Sequence, residues 1–122
     1  MSENRKKILI AEDERPMANA VKFKLEKEGI EAEIAVNGQE TIDLLKKEKF
    51  DLVILDIIMP VKDGFTVLKE MRESGINVPA IIASNLSQLE DIKKAKELGA
   101  VGYFIKSDTS INDVVEKIKN AL

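Results

Sequence analysis

Apolar residues gather in five short runs along the chain: KILIA (7–11), EAEIAV (31–36), LVIL (52–55), AIIA (80–83) and GYFIK (102–106). Longer amphipathic stretches separate them, with no residue-level repeat. Four of the runs are nearly continuous in apolar residues, the pattern of parallel strands covered by helices on both faces. EAEIAV alternates with glutamates instead, which predicts an edge strand. The intervening helices have readable ends. Pro16 suits a first helical position. Asn37 with Glu40, and Ser87 with Glu90, have the spacing of capping boxes. Gly29, Gly75 and Gly99 fall where helices should stop. In the last helix Ile111, Val114, Val115, Ile118 and Leu122 recur at helical spacing and predict its core face. The order is (βα)5.

A chain of 122 residues, 44% hydrophobic, suits one compact domain with a genuine core, so 1–122 is read as a single domain. Nineteen basic against twenty-two acidic residues, a net charge of -3 and no basic block argue against nucleic acid as the main partner. The short RKK at 5–7 reads as a solvated approach to the first strand. Cysteine is absent, which excludes disulfides, zinc thiolates and thiol catalysis. Histidine is absent too, removing Ser-His-Asp chemistry and imidazole metal sites. What remains is chemistry by carboxylates, hydroxyls and amines. No apolar run approaches a membrane span, and the expected location is the cytoplasm.

Five parallel strands with right-handed crossovers make a doubly wound α/β sheet, whose ligands bind outside the carboxyl ends of the strands where the winding reverses. In the flavodoxin-like order 2-1-3-4-5, strands 1 and 3 are neighbours at that switch point. Glu12 and Asp13 then follow strand 1, Asp56 follows strand 3, Ser84 ends strand 4 and Lys106 ends strand 5. Taken singly these residues have plainer explanations: an Asp at a strand end is ordinarily a turn or cap residue, and a lysine ordinarily a solvated amine. Taken together they converge on one rim. Three carboxylates in one crevice repel one another unless a hard cation gathers them. Mg²⁺ fits best, since it takes oxygen ligands and typically uses one or two carboxylates with phosphate oxygens.

The segments ILIAEDE, LVILDIIMPVKDG, PAIIASN and GYFIK, with their acidic pair, aspartate, Met-Pro-x-x-Asp-Gly turn, hydroxyl and lysine, resemble the receiver domain of two-component response regulators over essentially the whole chain. The resemblance implies that Asp56 is the phosphoacceptor. It also implies that Glu12 and Asp13 hold Mg²⁺, Asp13 directly and Glu12 through water, with the Ile58 backbone carbonyl as a further ligand. Ser84 corresponds to the family's hydroxyl, Lys106 to its lysine and Tyr103 to its switch aromatic. Two positions depart from the usual pattern. Ser107 follows Lys106 where the family has proline in a cis bond, and Asn85 follows Ser84 where a smaller residue is common.

These roles imply a phosphorylation-activated switch rather than a turnover enzyme. Asp56 is expected to take a phosphoryl group from a phosphohistidine on a histidine kinase or phosphotransfer protein, because this chain has no histidine donor. The change is expected to pass through Ser84 and Tyr103 to a downstream protein on the face of helix 4, strand 5 and helix 5, with room for a phosphorylation-dependent dimer. A constitutive receiver-like interaction domain is one alternative. A Mg²⁺-dependent phosphohydrolase is another, opposed by Ile58 standing where such phosphatases of the haloacid-dehalogenase type place a second Asp. A nucleotide site is opposed by the lack of G-x-G-x-x-G and G-x-x-x-x-G-K-[ST]. In receiver domains the side chains two after the acceptor and two after the hydroxyl flank the in-line approach of water; the resemblance puts Ile58 and Leu86 there, so slow autodephosphorylation is expected.

Overall fold

The computed structural model describes residues 5–122. Five strands, β1 (Lys7–Ala11), β2 (Glu31–Ala35), β3 (Leu52–Leu55), β4 (Ala80–Ser84) and β5 (Gly102–Ile105), alternate with helices α1 (Arg15–Lys27), α2 (Gly38–Lys47), α3 (Gly64–Glu73), α4 (Leu89–Glu97) and α5 (Ile111–Ala121). A 3-10 turn, Lys106–Asp108, lies between β5 and α5. All strands are parallel, in the order β2-β1-β3-β4-β5, so the alternating run does form an edge.

Each face of the sheet closes its own core. Ile8, Ile10, Ile54, Ile81 and Phe104 pack with Ala18, Val21 and Leu25 of α1 and Val114, Val115 and Ile118 of α5. Their neighbours Leu9, Val53, Leu55 and Ile82 point the other way, onto Ile42 and Leu45 of α2, Val67, Leu68 and Met71 of α3 and Ala95 of α4. Apolar side chains on both pleats explain the continuous runs. Each fully buried Leu or Ile contributes about 1.5–3 kcal/mol by leaving water, so these two layers dominate the fold's stability.

Helix ends follow the sequence with four corrections. Asn37 caps α2 by accepting from Glu40 N–H at 2.8 Å, while the Glu40 carboxylate reaches back to Val36 N–H rather than to the cap residue itself. Pro16 is the second helical residue, after Arg15, where its missing N–H is still one of the donors that lack a helical partner. The Ser87 cap does not form: Gln88 is the cap residue, and its main-chain carbonyl takes Asp91 N–H at 3.1 Å. Gly29, Gly75 and Gly99 end α1, α3 and α4 with φ of 83°, 70° and 105°, the left-handed region that side chains disfavour. Leu122 is exposed, past the end of α5, so the apolar stripe of that helix closes at Ile118.

At the amino end of the sheet Lys7 pairs with Glu48, lies 3.0 Å from Glu33 and 3.6 Å from Glu31, and sits over the Phe50 ring. The hydrogen bond to Glu48, then that to Glu33, holds its ammonium above the ordinary value. RKK is thus not solvated throughout, because Lys7 is the first residue of β1.

Candidate functional site at the carboxyl ends of β1, β3, β4 and β5

Ladder-type bonds carry past the strand ends and fix the acids. Glu12 N–H donates to Ala35 O at 2.9 Å and Asp56 N–H to Ala11 O at 3.0 Å. Both residues are buried, at 5% and 4% exposure, whereas Asp13 faces outward. Glu12, Asp13 and Asp56 each bring one carboxylate oxygen within 4.8 Å of the others. Hard oxygen donors at that spacing suit a small divalent cation such as Mg²⁺.

Lys106 closes the cluster. Its ammonium donates to Asp56 at 2.8 Å and to Glu12 and Glu14 at 2.9 Å each. Burial works against the charge, but the bonds to Asp56, Glu12 and Glu14 outweigh it and raise the lysine above its ordinary value. Burial is also the largest influence on Glu12, and it lifts that carboxyl above the usual range despite the hydrogen bond from Lys106. β5 ends one residue earlier than the GYFIK run, so Lys106 opens the 3-10 turn. The Lys106–Ser107 peptide is trans, as no cis bond occurs among the described residues. Ser107 N–H donates instead to Asn85 Oδ1 at 2.9 Å.

The loop after β3 passes close behind Asp56. Gly64 N–H donates to Ile57 O at 2.7 Å, and a Cβ on Gly64 would lie 2.4 Å from Asp56 O, so only glycine fits. Val61 in the same loop has φ of 71°, a strained value for a β-branched residue. Ile58 is 61% exposed at the mouth, and its N–H faces Asp56 Oδ1 at 3.3 Å. Asp13, Glu14, Asp56, Ile58, Ser84, Asn85 and Lys106 line an open cleft of about 220 Å³.

Ser84 is fully buried and its Oγ accepts from Leu86 N–H at 3.2 Å. The Tyr103 hydroxyl donates to Leu86 O at 2.6 Å, its half-buried ring packed against the core on the α4 side. Burial, then the charge of Asp91, raises this phenol above its usual value. The structure therefore lines one cleft with Asp13, Asp56, Ile58, Ser84 and Lys106, bonds buried Glu12 to the same lysine, and ties Tyr103 to Ser84 through Leu86. The sequence reading missed Glu14, whose only signal was a third consecutive acid in EDE, and it left the partner of Asn85 open.

Comparisons with known proteins agree with this geometry. Residues 8–119 match the sequence model of the response regulator receiver domain. The transcriptional regulatory protein DltR of Streptococcus agalactiae is 34% identical over 100 residues, 82% of this chain; the chain spans 45% of that relative's length. The Francisella response regulator 1452 receiver domain superposes with a TM-score of 0.89 at 31% identity, covering 96% of both chains. The Thermotoga maritima response regulator TrrA, solved in complex with Mg²⁺-BeF, gives 0.82 at 32% identity, covering 96% of this chain and 99% of that one. Five parallel strands in the order 2-1-3-4-5, an acidic cleft at their carboxyl ends and a family match over nearly the whole length lead to one conclusion: the chain belongs to the response regulator receiver domain family.

Proposed function

We propose that residues 1–122 act as a single receiver domain, a cytoplasmic switch in which Asp56 accepts a phosphoryl group from a phosphohistidine of a histidine kinase or phosphotransfer protein. The observation that carries this reading is the Asp56 carboxylate itself, buried at the mouth of a cleft and bonded to a buried lysine. Among the described residues no helix is long and apolar enough to cross a membrane. In the transfer, an Asp56 oxygen attacks phosphorus in line, the N–P bond breaks, and the imidazole leaves with the electron pair and is protonated. Lys106 turns its ammonium from the carboxylates toward a phosphoryl oxygen. Asp13, Asp56 and the Ile58 carbonyl would hold Mg²⁺ directly, with Glu12 through water, and the ion would supply charge neutralisation. Ile58 offers no acid or base beside the phosphorylated aspartate, which favours a stored phosphoryl group over rapid turnover.

Ser84 Oγ then serves a phosphoryl oxygen and releases Leu86 N–H. The same residue's carbonyl holds Tyr103, so the ring and the face formed by α4, β5 and α5 respond as a shifted population. A downstream protein, or a second phosphorylated copy of this chain, would read that face. Incubation with acetyl phosphate tests the acceptor. Labelling should require Mg²⁺ and disappear in Asp56→Asn; unchanged labelling of that variant at the same site would defeat the assignment. For the switch, Ser84→Ala should still be labelled yet show smaller NMR shifts around Tyr103, and shifts equal to wild type would refute the coupling.

A further inference from the structure

The two departures from the family pattern, Asn85 and Ser107, are bonded to each other. We propose that Asn85 is a positioning residue for Lys106: its side-chain carbonyl captures Ser107 N–H and fixes the turn that Lys106 begins. The inference rests on the reading of Lys106 as a group that serves the phosphoryl oxygens.

The turn 106–108 needs such a partner. Its opening N–H groups have no carbonyl within the turn to receive them, and Ile105, which precedes it, has no side-chain oxygen to offer. Asn85 reaches across from β4 instead. The last β4–β5 register pair is Ser84 with Ile105, so the Asn85–Ser107 bond adds one side-chain rung immediately beyond the ladder. That rung connects the residue after the buried hydroxyl to the residue after the buried lysine.

The sequence is consistent on both sides of this bond. A proline at 107 would remove the donor, and it would also disfavour helical dihedrals at Lys106. Serine leaves both intact, and Thr109 N–H closes the turn on Lys106 O at 3.2 Å. Only one orientation of the Asn85 amide places an acceptor toward the Ser107 N–H. The lysine's flexible stem could otherwise place its ammonium at many points, and anchoring its main chain narrows that range. Asn85 lies at the exposed edge, where water can replace its bond, so its effect falls on alignment of Lys106 more than on folding.

The full chain carrying Asn85→Ala, Ser107→Ala, Ser107→Pro or Asn85→Ala with Ser107→Pro tests the proposal. Three measurements are made: hydrogen exchange of the Ser107 amide, Mg²⁺ affinity from amide shifts, and the initial rate of Asp56 labelling by phosphoramidate at saturating Mg²⁺. Asn85→Ala should lose the Ser107 amide protection and slow labelling by about two- to tenfold, the range of one net hydrogen bond, with Mg²⁺ affinity unchanged. Ser107→Ala should match wild type, because the main chain donates. In the Ser107→Pro background Asn85→Ala should add nothing. Unchanged amide protection or an unchanged rate in Asn85→Ala would overturn the proposal, as would an equal loss on the proline background. Should Ser107→Pro fail to fold, the contrast between Asn85→Ala and Ser107→Ala decides. Absence of Asp56 labelling in wild type would instead defeat the proposed function, and exchange of the Ser107 amide would still judge the bond from Asn85.

Discussion

Replacing Lys106 by methionine keeps an unbranched stem and removes the ammonium from among three carboxylates. The side chains of Glu12 and Asp56 are only 7% and 6% exposed, so at neutral pH both would be left buried without a cation. Removing one partner of such a cluster costs about 3–5 kcal/mol. Glu14 is 63% exposed and adds little, since solvent screens its pair. With a urea slope of about 2 kcal/mol per molar, the midpoint should fall by about 2 M. Circular dichroism at the helix band follows the transition. The deficit should be conditional. In the variant, burial raises the Glu12 carboxyl with no lysine bond to oppose it, so the folded state binds more protons and the deficit narrows as the pH falls from 7 toward 5. Mg²⁺ should narrow it as well, stabilising the variant more than wild type because no ammonium competes for the same oxygens; at a hundred times Kd the linkage is worth about 2.7 kcal/mol. A deficit below about 1 kcal/mol at pH 7 without Mg²⁺, or one unaffected by acid and metal, would refute the account of Lys106 as the charge partner of this cluster.

Gly64→Ala should cost about 1–3 kcal/mol in urea unfolding and slow Asp56 labelling, since the new Cβ meets main-chain atoms of Asp56 and Ile57 that can move only by displacing the acceptor. The raised Lys7 contributes stability that is fully present below its ordinary value of 10.5 and lost as pH rises through the higher folded value; the gap between wild type and Lys7→Met should be steady from pH 7 to 9 and close in stronger alkali. Ile58→Asn should hasten decay of the phosphoryl group by about tenfold if a polar side chain there positions water, followed by loss of label at saturating Mg²⁺, and equal or slower decay would point away from this residue. Leu86→Glu is the poorer test of the same idea, because Leu86 packs against the core and its side chain would carry a charge into it.

The strand ends were legible because a parallel sheet leaves little freedom there: once LVIL is a central strand, Asp56 must emerge at its carboxyl rim beside Glu12. Hydrophobic runs of four or five residues and glycines with positive φ fixed element type and helix ends in the same way. What escaped was settled by side chains reaching between loops. Glu14 was no more than the last acid of ILIAEDE, and nothing in one-dimensional spacing says that its carboxylate meets Lys106, 92 residues along the chain. Ser87 had the composition of a cap, but the main chain at Gln88 took the bond first. Asn85 and Ser107 were each visible as an oddity, and only the β4–β5 pairing makes them neighbours.

Leu86 holds the Ser84 hydroxyl by its N–H and the Tyr103 hydroxyl by its carbonyl, and on its own side both bonds use main-chain atoms alone. Any residue except proline supplies that N–H and every residue supplies that carbonyl. Heritable variation at position 86 can therefore change the side chain there without cutting the tie between hydroxyl and ring.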